Sequence, residues 1–310
     1  MLHPLVGNTP VIALSHSHIN LFAKLEYYNL TGSVKDRSAY HSLRKAVENG
    51  NITKDTVIVE SSSGNFASSL AQICNFLEIK FIPVVDPNIS PLYLGFLRSL
   101  CEEVVMVKDM DESGGYLKTR IKRVHDIIDS ISNSYWINQY ENPYCAEAHY
   151  LGTAKEIFNF STRLDYLFVG VSSGGTLSGV SRGVRELSPN TMIVAVDIEG
   201  SMIFQAQPKV RFIPGMGSSI RPKLLDSCCI DKVVHVSESN VVKGCRALRN
   251  QHGILAGGSS GAVYFAIDSF FKNHPSIKEK PEVMFLCPDR GTAYIETVYN
   301  DEWVRSKGLI

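Results

Sequence analysis

Four short stretches of this 310-residue chain gather groups able to hold, or attack, a small anionic ligand. The first is Asn29-Leu30-Thr31-Gly32-Ser33-Val34-Lys35-Asp36-Arg37, which follows the strand-like run Leu21–Leu25 and sets a lysine where a helix begins. A helix N-terminus disfavours a cation. Lys35 is therefore either a solvated surface amine or a desolvated one that forms an imine with a carbonyl compound. The second stretch is Ser61-Ser62-Ser63-Gly64-Asn65, whose hydroxyls and N–H groups suit a carboxylate or simply cap the next helix. The third, Ser172-Ser173-Gly174-Gly175-Thr176, has the composition of a phosphate cradle, with glycines for close approach and donors around them. The fourth, Gly257-Gly258-Ser259-Ser260-Gly261, either caps a helix or delivers a hydroxyl to a bound ring.

Several chemistries drop out. No Gly-Lys dipeptide occurs, which excludes the nucleoside-triphosphate loop, and no Gly-x-Gly-x-x-Gly follows a strand, which argues against a dinucleotide. A small monophosphate cofactor remains. His16 and His18 could share a strand face, but no third ligand is near them, so no metal is expected. A Ser-His-Asp hydrolase is not expected either, and His149 is read as structural. The 31 basic and 31 acidic residues cancel, leaving no electrostatic footprint for nucleic acid or an anionic membrane. No run of about 18 apolar residues is present, and the start, Met1 to Pro10, carries no basic stretch or apolar leader segment. Seven scattered cysteines without a Cys-x-x-Cys pair suggest core thiols in a reducing cytoplasm.

The elements that must position these stretches alternate in type. Strands are expected at Thr56–Glu60, Phe81–Val85, Val104–Val107, Tyr166–Val169, Ile193–Val196 and Val283–Leu286. Helices are expected through Leu70 to Cys74, over Pro91–Ser99, through Leu117 to Ile128, through Leu177 to Val184 and over Ala262–Phe270. Such alternation predicts an α/β protein with largely parallel sheets. The rhythm breaks near Asn142-Pro143, so a boundary is expected within Asn138–Ala148, dividing the chain into residues 1–145 and 146–310.

Taken in order and spacing, these stretches match a known set. Gly7-Asn8-Thr9-Pro10, Lys24-Leu25-Glu26, Gly32–Arg37, Ser62–Asn65, Ser173–Thr176 and Gly258–Gly261 together resemble the pyridoxal-phosphate-dependent β-replacement enzymes of the cysteine synthase and cystathionine β-synthase group, called fold type II. The resemblance covers essentially the whole chain. It implies two domains, each a largely parallel sheet flanked by helices, with the cofactor between them and residues 8–30 crossing over to the C-terminal domain. It also implies a homodimer acting on amino-acid substrates.

By that resemblance Lys35 carries pyridoxal phosphate as an imine and moves protons at the substrate Cα, and Asn65 bonds the ring oxygen. Ser172, Ser173, Gly174, Gly175 and Thr176 hold the phosphate, while Ser259 faces the pyridine nitrogen. Ser62, Ser63, Gly64 and Gln139 are the candidates for the substrate α-carboxylate. Elimination would leave an α-aminoacrylate that takes a nucleophile at Cβ.

Gly114–Arg120, Tyr135–Tyr140 and Pro288-Asp289-Arg290-Gly291 are similar to a branch that joins O-phospho-L-serine to L-glutamate on the way to 2,3-diaminopropionate and siderophores. For that branch Arg120 and Tyr140 are expected to meet the second dicarboxylate, and Arg221 to meet the phosphoryl leaving group, although it stands one place from the related arginine. Phe66 replaces the usual threonine, and Ser172 the usual glycine, which weighs against an ordinary cysteine synthase. The rivals are such a synthase, using O-acetylserine or O-phosphoserine with sulfide, and a non-catalytic homologue that binds a partner or senses a metabolite.

Overall fold

The computed structural model describes residues 2–112, 114–161, 163–205, 207–272 and 279–310. Its first regular elements are the antiparallel strands β1 (Val11–Leu14) and β2 (Asn20–Leu25), followed by helix α1 (Lys35–Glu48). Strands and helices then alternate: β3 (Val57–Ser61), α2 (Asn65–Leu77), β4 (Phe81–Val85), α3 (Pro91–Leu100), β5 (Val105–Met106), α4 (Leu117–Ser130) and β6 (Ser134–Trp136). The four strands β3 to β6 make one parallel sheet in the order β5-β4-β3-β6.

The second half begins with α5 (Pro143–Ala148), which runs through a π-helical turn at His149–Thr153 into α6 (Ala154–Phe160). It continues with β7 (Tyr166–Gly170), α7 (Gly175–Leu187), β8 (Met192–Ile198), β9 (Lys232–Val236), α8 (Glu238–His252), α9 (Gly258–Lys272), β10 (Glu282–Cys287) and α10 (Asp301–Ser306). The second sheet is ordered β1-β2-β10-β7-β8-β9, parallel except for β1. Residues 20–25 therefore pair with β10, Lys24 standing opposite Leu286, and β1 adds to the edge of that sheet through β2 alone.

Each sheet is buried on both faces, as its unbroken β-branched runs require. Val194, Phe285 and the inner sides of α8 and α9 fill one face of the larger sheet; Ile193, Leu286 and α7 fill the other. A fully buried phenylalanine such as Phe168 contributes about 2 kcal/mol.

Differences from the sequence reading have local causes. The strand expected at Val104–Val107 is only Val105–Met106, at the edge of its sheet. The strands β1, β6 and β9 are not foreshadowed, being short or mixed in polarity, as in Lys-Val-Val-His-Val of β9. Asn142-Pro143 opens a helix: the Asn142 side chain accepts the Tyr144 N–H and starts α5, with proline at the first helical position. Helix α9 begins at Gly258, so Ser259 lies in its first turn.

A buried charge cluster fixes α1 against β2 and α6. The Arg37 guanidinium bonds Glu26 at 2.6 Å and Glu156 at 2.7 Å, and Lys24 Nζ meets Glu156 at 2.7 Å. Burial pushes the Glu156 carboxyl up, but the Arg37 and Lys24 cations outweigh it and hold the group well below the usual carboxylate range. Arg37 is two residues from Lys35, so this cluster sets where the helix start can sit.

Candidate active site

The four chemistry-bearing stretches follow the carboxyl ends of strands β2, β3 and β7 or open helix α9, and the segment after β10 joins them. Parallel sheets gather ligands at these ends. Ser33 bridges Asp289, Ala256 bridges Arg290, and the Val34 N–H donates to the Pro288 carbonyl at 2.7 Å. The segment after β10 thus links the lysine stretch to the one that leads into Ser259.

Lys35 is the first residue of α1, and its Nζ donates to Ser173 Oγ at 3.2 Å, across 138 residues of sequence. Burial lowers its pKa below that of an ordinary lysine, with Cys145 and Asp289 acting in the opposite sense. The solvated-surface alternative for Lys35 is thereby removed: this is a partly desolvated amine placed against the third stretch.

That stretch turns from β7 into α7 through Gly174, whose φ of +88° is left-handed, and an added Cβ there would meet Leu225 at 3.0 Å. Its hydroxyls are not equivalent. Ser173 faces Lys35, Ser172 donates to the Gly217 carbonyl at 3.1 Å, and Thr176 lies 3.2 Å from His149 Nε2. His149 also reaches Ser38 at 3.2 Å and Thr153 at 2.8 Å, and burial together with Arg37 and Lys35 drives its pKa well below the usual histidine range. It is a neutral brace behind the loop, in keeping with the structural role read for it.

Asn65 opens α2. Its Nδ2 donates to Asp289 Oδ2 at 2.8 Å, and its Oδ1 accepts the Tyr93 hydroxyl at 2.5 Å. Tyr93 is delivered by the start of α3, where Ser90 Oγ caps the Tyr93 N–H and Pro91 fixes the first turn. Ser259 is buried, has no hydrogen-bond partner among the described residues, and sits beside Gly170 at the end of β7. The letters of Gly257–Gly261 also spell the Gly-x-Ser-x-Gly of a hydrolase elbow. Among the described residues no histidine bonds Ser259 and no strand of the sheet feeds the turn, so the spelling carries no triad.

The Ser62–Gly64 loop is already busy. Ser62 Oγ accepts the N–H groups of Gly64 and Ala67 at 3.4 and 3.3 Å, which is the capping role weighed from sequence. Ser63 Oγ donates to Asp86 Oδ2 at 2.7 Å and accepts from Arg120 Nη1 at 3.2 Å, while Arg120 Nε lies 3.2 Å from the same Asp86 oxygen. Tyr140 lies near Arg120; burial raises the phenol's pKa and Arg120 opposes the rise. Gln139 Nε2 donates to the Ser61 carbonyl at 3.1 Å. Asn138, in the left-handed region at φ +56°, turns the chain after β6 so that Gln139 and Tyr140 leave the sheet here.

Arg221 stands apart. It is 47% exposed and bonds Asp226 and the Ile203 carbonyl, each at 3.4 Å, with its guanidinium over Phe204. The structure does not bring it to the cluster.

Three acids to which the sequence assigns no role, Asp289 of the Pro288–Gly291 match among them, take part. Asp86 pairs with Arg120. Asp289 holds Asn65. Glu60, fully buried at the end of β3, accepts from Ser61 and Trp136, and burial pushes its carboxyl up to about 8. His16 lies 3.7 Å from Asp268, and among the described residues no cluster of three potential ligands exists.

A family model described as "Pyridoxal-phosphate dependent enzyme" matches residues 2–289. The chain belongs to that family. The residues present fit such a cofactor, on three counts among the described residues: a lowered lysine pKa beside a glycine-hydroxyl loop at a helix N-terminus, an amide with one N–H uncommitted, and a buried hydroxyl with no protein partner. Two solved structures resemble the chain over nearly its full length. One is an O-acetylserine-dependent cystathionine β-synthase from Helicobacter pylori, with 28% identity, a TM-score of 0.88, and coverage of 97% of this chain and 98% of that one. The other is a hydrogen sulfide-producing enzyme from Fusobacterium nucleatum, also 28% identical with a TM-score of 0.88, covering 95% and 99%. In this family the protein is an enzyme, its cofactor is pyridoxal phosphate, and its α/β architecture is shared. No helix among the described residues is long and apolar enough to cross a membrane.

Proposed function

We propose that the enzyme replaces the β-substituent of O-phospho-L-serine with the amine of L-glutamate, giving N-(2-amino-2-carboxyethyl)-L-glutamate and phosphate. The observation that carries the reading is a second cationic centre. Arg120, with Tyr140, stands at the carboxylate loop itself, where Ser63 touches both the guanidinium and Asp86. A sulfide nucleophile needs no such group, whereas a dicarboxylate amine does.

Bound pyridoxal phosphate supplies the electron sink at the substrate Cα. The chain's own residues do the rest. The N–H groups of Ser172–Thr176 and the Ser173 hydroxyl, whose proton is not spent on Lys35, would bind the phosphate at the N-terminus of α7. Lys35 Nζ, kept nucleophilic by its lowered pKa, is the amine that would hold the cofactor and would carry the proton at the substrate Cα. Asn65 would bind the ring oxygen. Ser259 would face the ring nitrogen with a neutral hydroxyl, which cannot keep a proton there as a carboxylate would; that environment would favour prompt loss of a β-leaving group. Ser62, Ser63, the Gly64 N–H and Gln139 orient the first carboxylate.

Arg120 takes the carboxylate of the incoming glutamate by sharing or exchanging Asp86. Arg221 is kept as the counter-ion for the leaving phosphoryl group only if its side chain swings away from Asp226. The reading extends to two domains meeting near residue 145, to a homodimer, and to a reducing cytoplasm, where seven free cysteines are at home. It extends as well to a role in making 2,3-diaminopropionate for a siderophore.

The second reading is a cysteine synthase, favoured by the two similar structures, one O-acetylserine-dependent and one hydrogen sulfide-producing. Mass spectrometry of products decides between them. O-phosphoserine offered with glutamate and sulfide together should yield the glutamate adduct; cysteine alone would replace this reading with the second.

A further inference from the structure

Asp289 is 2% exposed and stands where three parts of the site meet. Its backbone bridges Ser33 and accepts the Gly257 N–H at 3.1 Å, so it touches the turns that lead to Lys35 and Ser259. Its carboxyl does the more specific work. Oδ2 accepts the Asn65 amide at 2.8 Å and the Tyr294 hydroxyl at 2.9 Å, while Oδ1, buried against Gly257, has no partner. A Cβ at Gly257 would lie 2.0 Å from that Oδ1, so the glycine makes the room the carboxyl occupies. On the other side of the amide, the Tyr93 hydroxyl donates to Asn65 Oδ1 at 2.5 Å.

An asparagine amide has two N–H donors and a carbonyl, and a half-turn exchanges them. The Tyr93 hydroxyl can donate or accept, whereas the Asp289 carboxylate can only accept. A turned amide would set its carbonyl against that carboxylate, so Asp289 selects the orientation, Tyr93 holds the carbonyl in it, and one N–H is left uncommitted among the described residues. We propose that Asp289 is a positioning residue whose carboxyl, acting with the Tyr93 hydroxyl, locks the Asn65 amide so that its spare N–H is kept for the ring oxygen of the cofactor. This rests on the reading of Asn65 as the ring-oxygen contact.

A donor fixed on that oxygen favours its anionic form, which absorbs at longer wavelength than the neutral hydroxyl form. The test is the absorption spectrum of the cofactor-loaded protein, with no substrate present. Asn65→Ala should lower the ratio of visible to near-ultraviolet absorbance about tenfold, and Asp289→Ala about threefold, since bonds to a charged acceptor are the stronger kind. The double variant should shift no further than Asn65→Ala, because both act through one amide. Asp289→Asn keeps an acceptor oxygen and should restore most of the ratio.

An unchanged spectrum in Asp289→Ala, beside a shifted one in Asn65→Ala, would overturn the positioning role and leave the ring contact standing. An unchanged spectrum in Asn65→Ala would overturn both. Additive shifts in the double variant would show that Asp289 acts by another route and overturn the proposal. If Asp289→Ala does not fold, Tyr93→Phe removes the other half of the lock from a half-buried position; it should shift the spectrum in the same direction, and no shift would overturn the proposal.

Discussion

The two ends of the site are built on opposite principles. At the cofactor end the decisive groups keep something in reserve among the described residues: the Ser259 hydroxyl has no partner, Asn65 has a spare N–H, and the Lys35 amine bonds a single hydroxyl. At the carboxylate end the groups are already spent on one another. Arg120 is held by Asp86 and Ser63, Gln139 by the Ser61 carbonyl, and Ser62 by two backbone N–H groups. The difference teaches that a resident cofactor can be met by preorganised donors, whereas substrates that come and go must break and remake bonds within the protein.

The sharpest way to break this contrast is at Lys35. Lys35→Ala should lower turnover by roughly a thousandfold or more and abolish covalent attachment of the cofactor, as steady-state assay and intact mass would show. Normal product formation would remove the amine from the mechanism.

The next largest effect is expected in stability, at the other end. Glu60 sits beneath the carboxylate loop with its pKa raised to about 8 from 4.5. A raised carboxyl is protonated in the folded state and ionised in the unfolded one at intermediate pH. Its stabilising contribution is therefore complete below pH 4.5 and lost as pH rises through 8. Denaturant melts of Glu60→Gln should lack this slope, so that the variant gains on the parent by up to a few kcal/mol between pH 5 and 8.5. Equal pH slopes would mean that the carboxyl is ionised in the fold.

Arg120→Ala sharpens the contrast from the substrate side. It should spare loss of phosphate from O-phosphoserine and lower kcat/KM for glutamate about 10- to 100-fold, the cost of one charge-assisted contact. Loss of the first half-reaction instead would assign Arg120 to the phosphoserine. Arg221→Ala is expected to be mildest, within about threefold of the parent in phosphate release, because its exposed pairing with Asp226 contributes little. A large loss would show that the side chain leaves Asp226 during the reaction.

What could be read from the sequence follows the same division. The cofactor stretches were legible because glycine and serine clusters after β-branched runs announce themselves locally, and Lys35, Asn65, Ser173 and Ser259 do gather around one region. The alternating parallel architecture was legible for the same reason of local periodicity. The braces were not. Asp289 reaches Asn65 across 224 residues, and Asp86 reaches Arg120 from the end of another strand. Nothing in the spacing of a lone acid marks the partner it will meet. Short strands such as Ser134–Trp136 are held by their neighbours in the sheet, since three residues hold too little alternation to predict. Arg221 shows the converse: a sequence match named the residue, while the local fold turned it toward Asp226.

Borohydride reduction of the cofactor-loaded enzyme, followed by peptide mapping, tests the cofactor end most directly. A stable pyridoxyl mass on the peptide containing Lys35, and on no other lysine, is the expected result. Loaded protein that is reduced in full yet leaves Lys35 unmodified would contradict it.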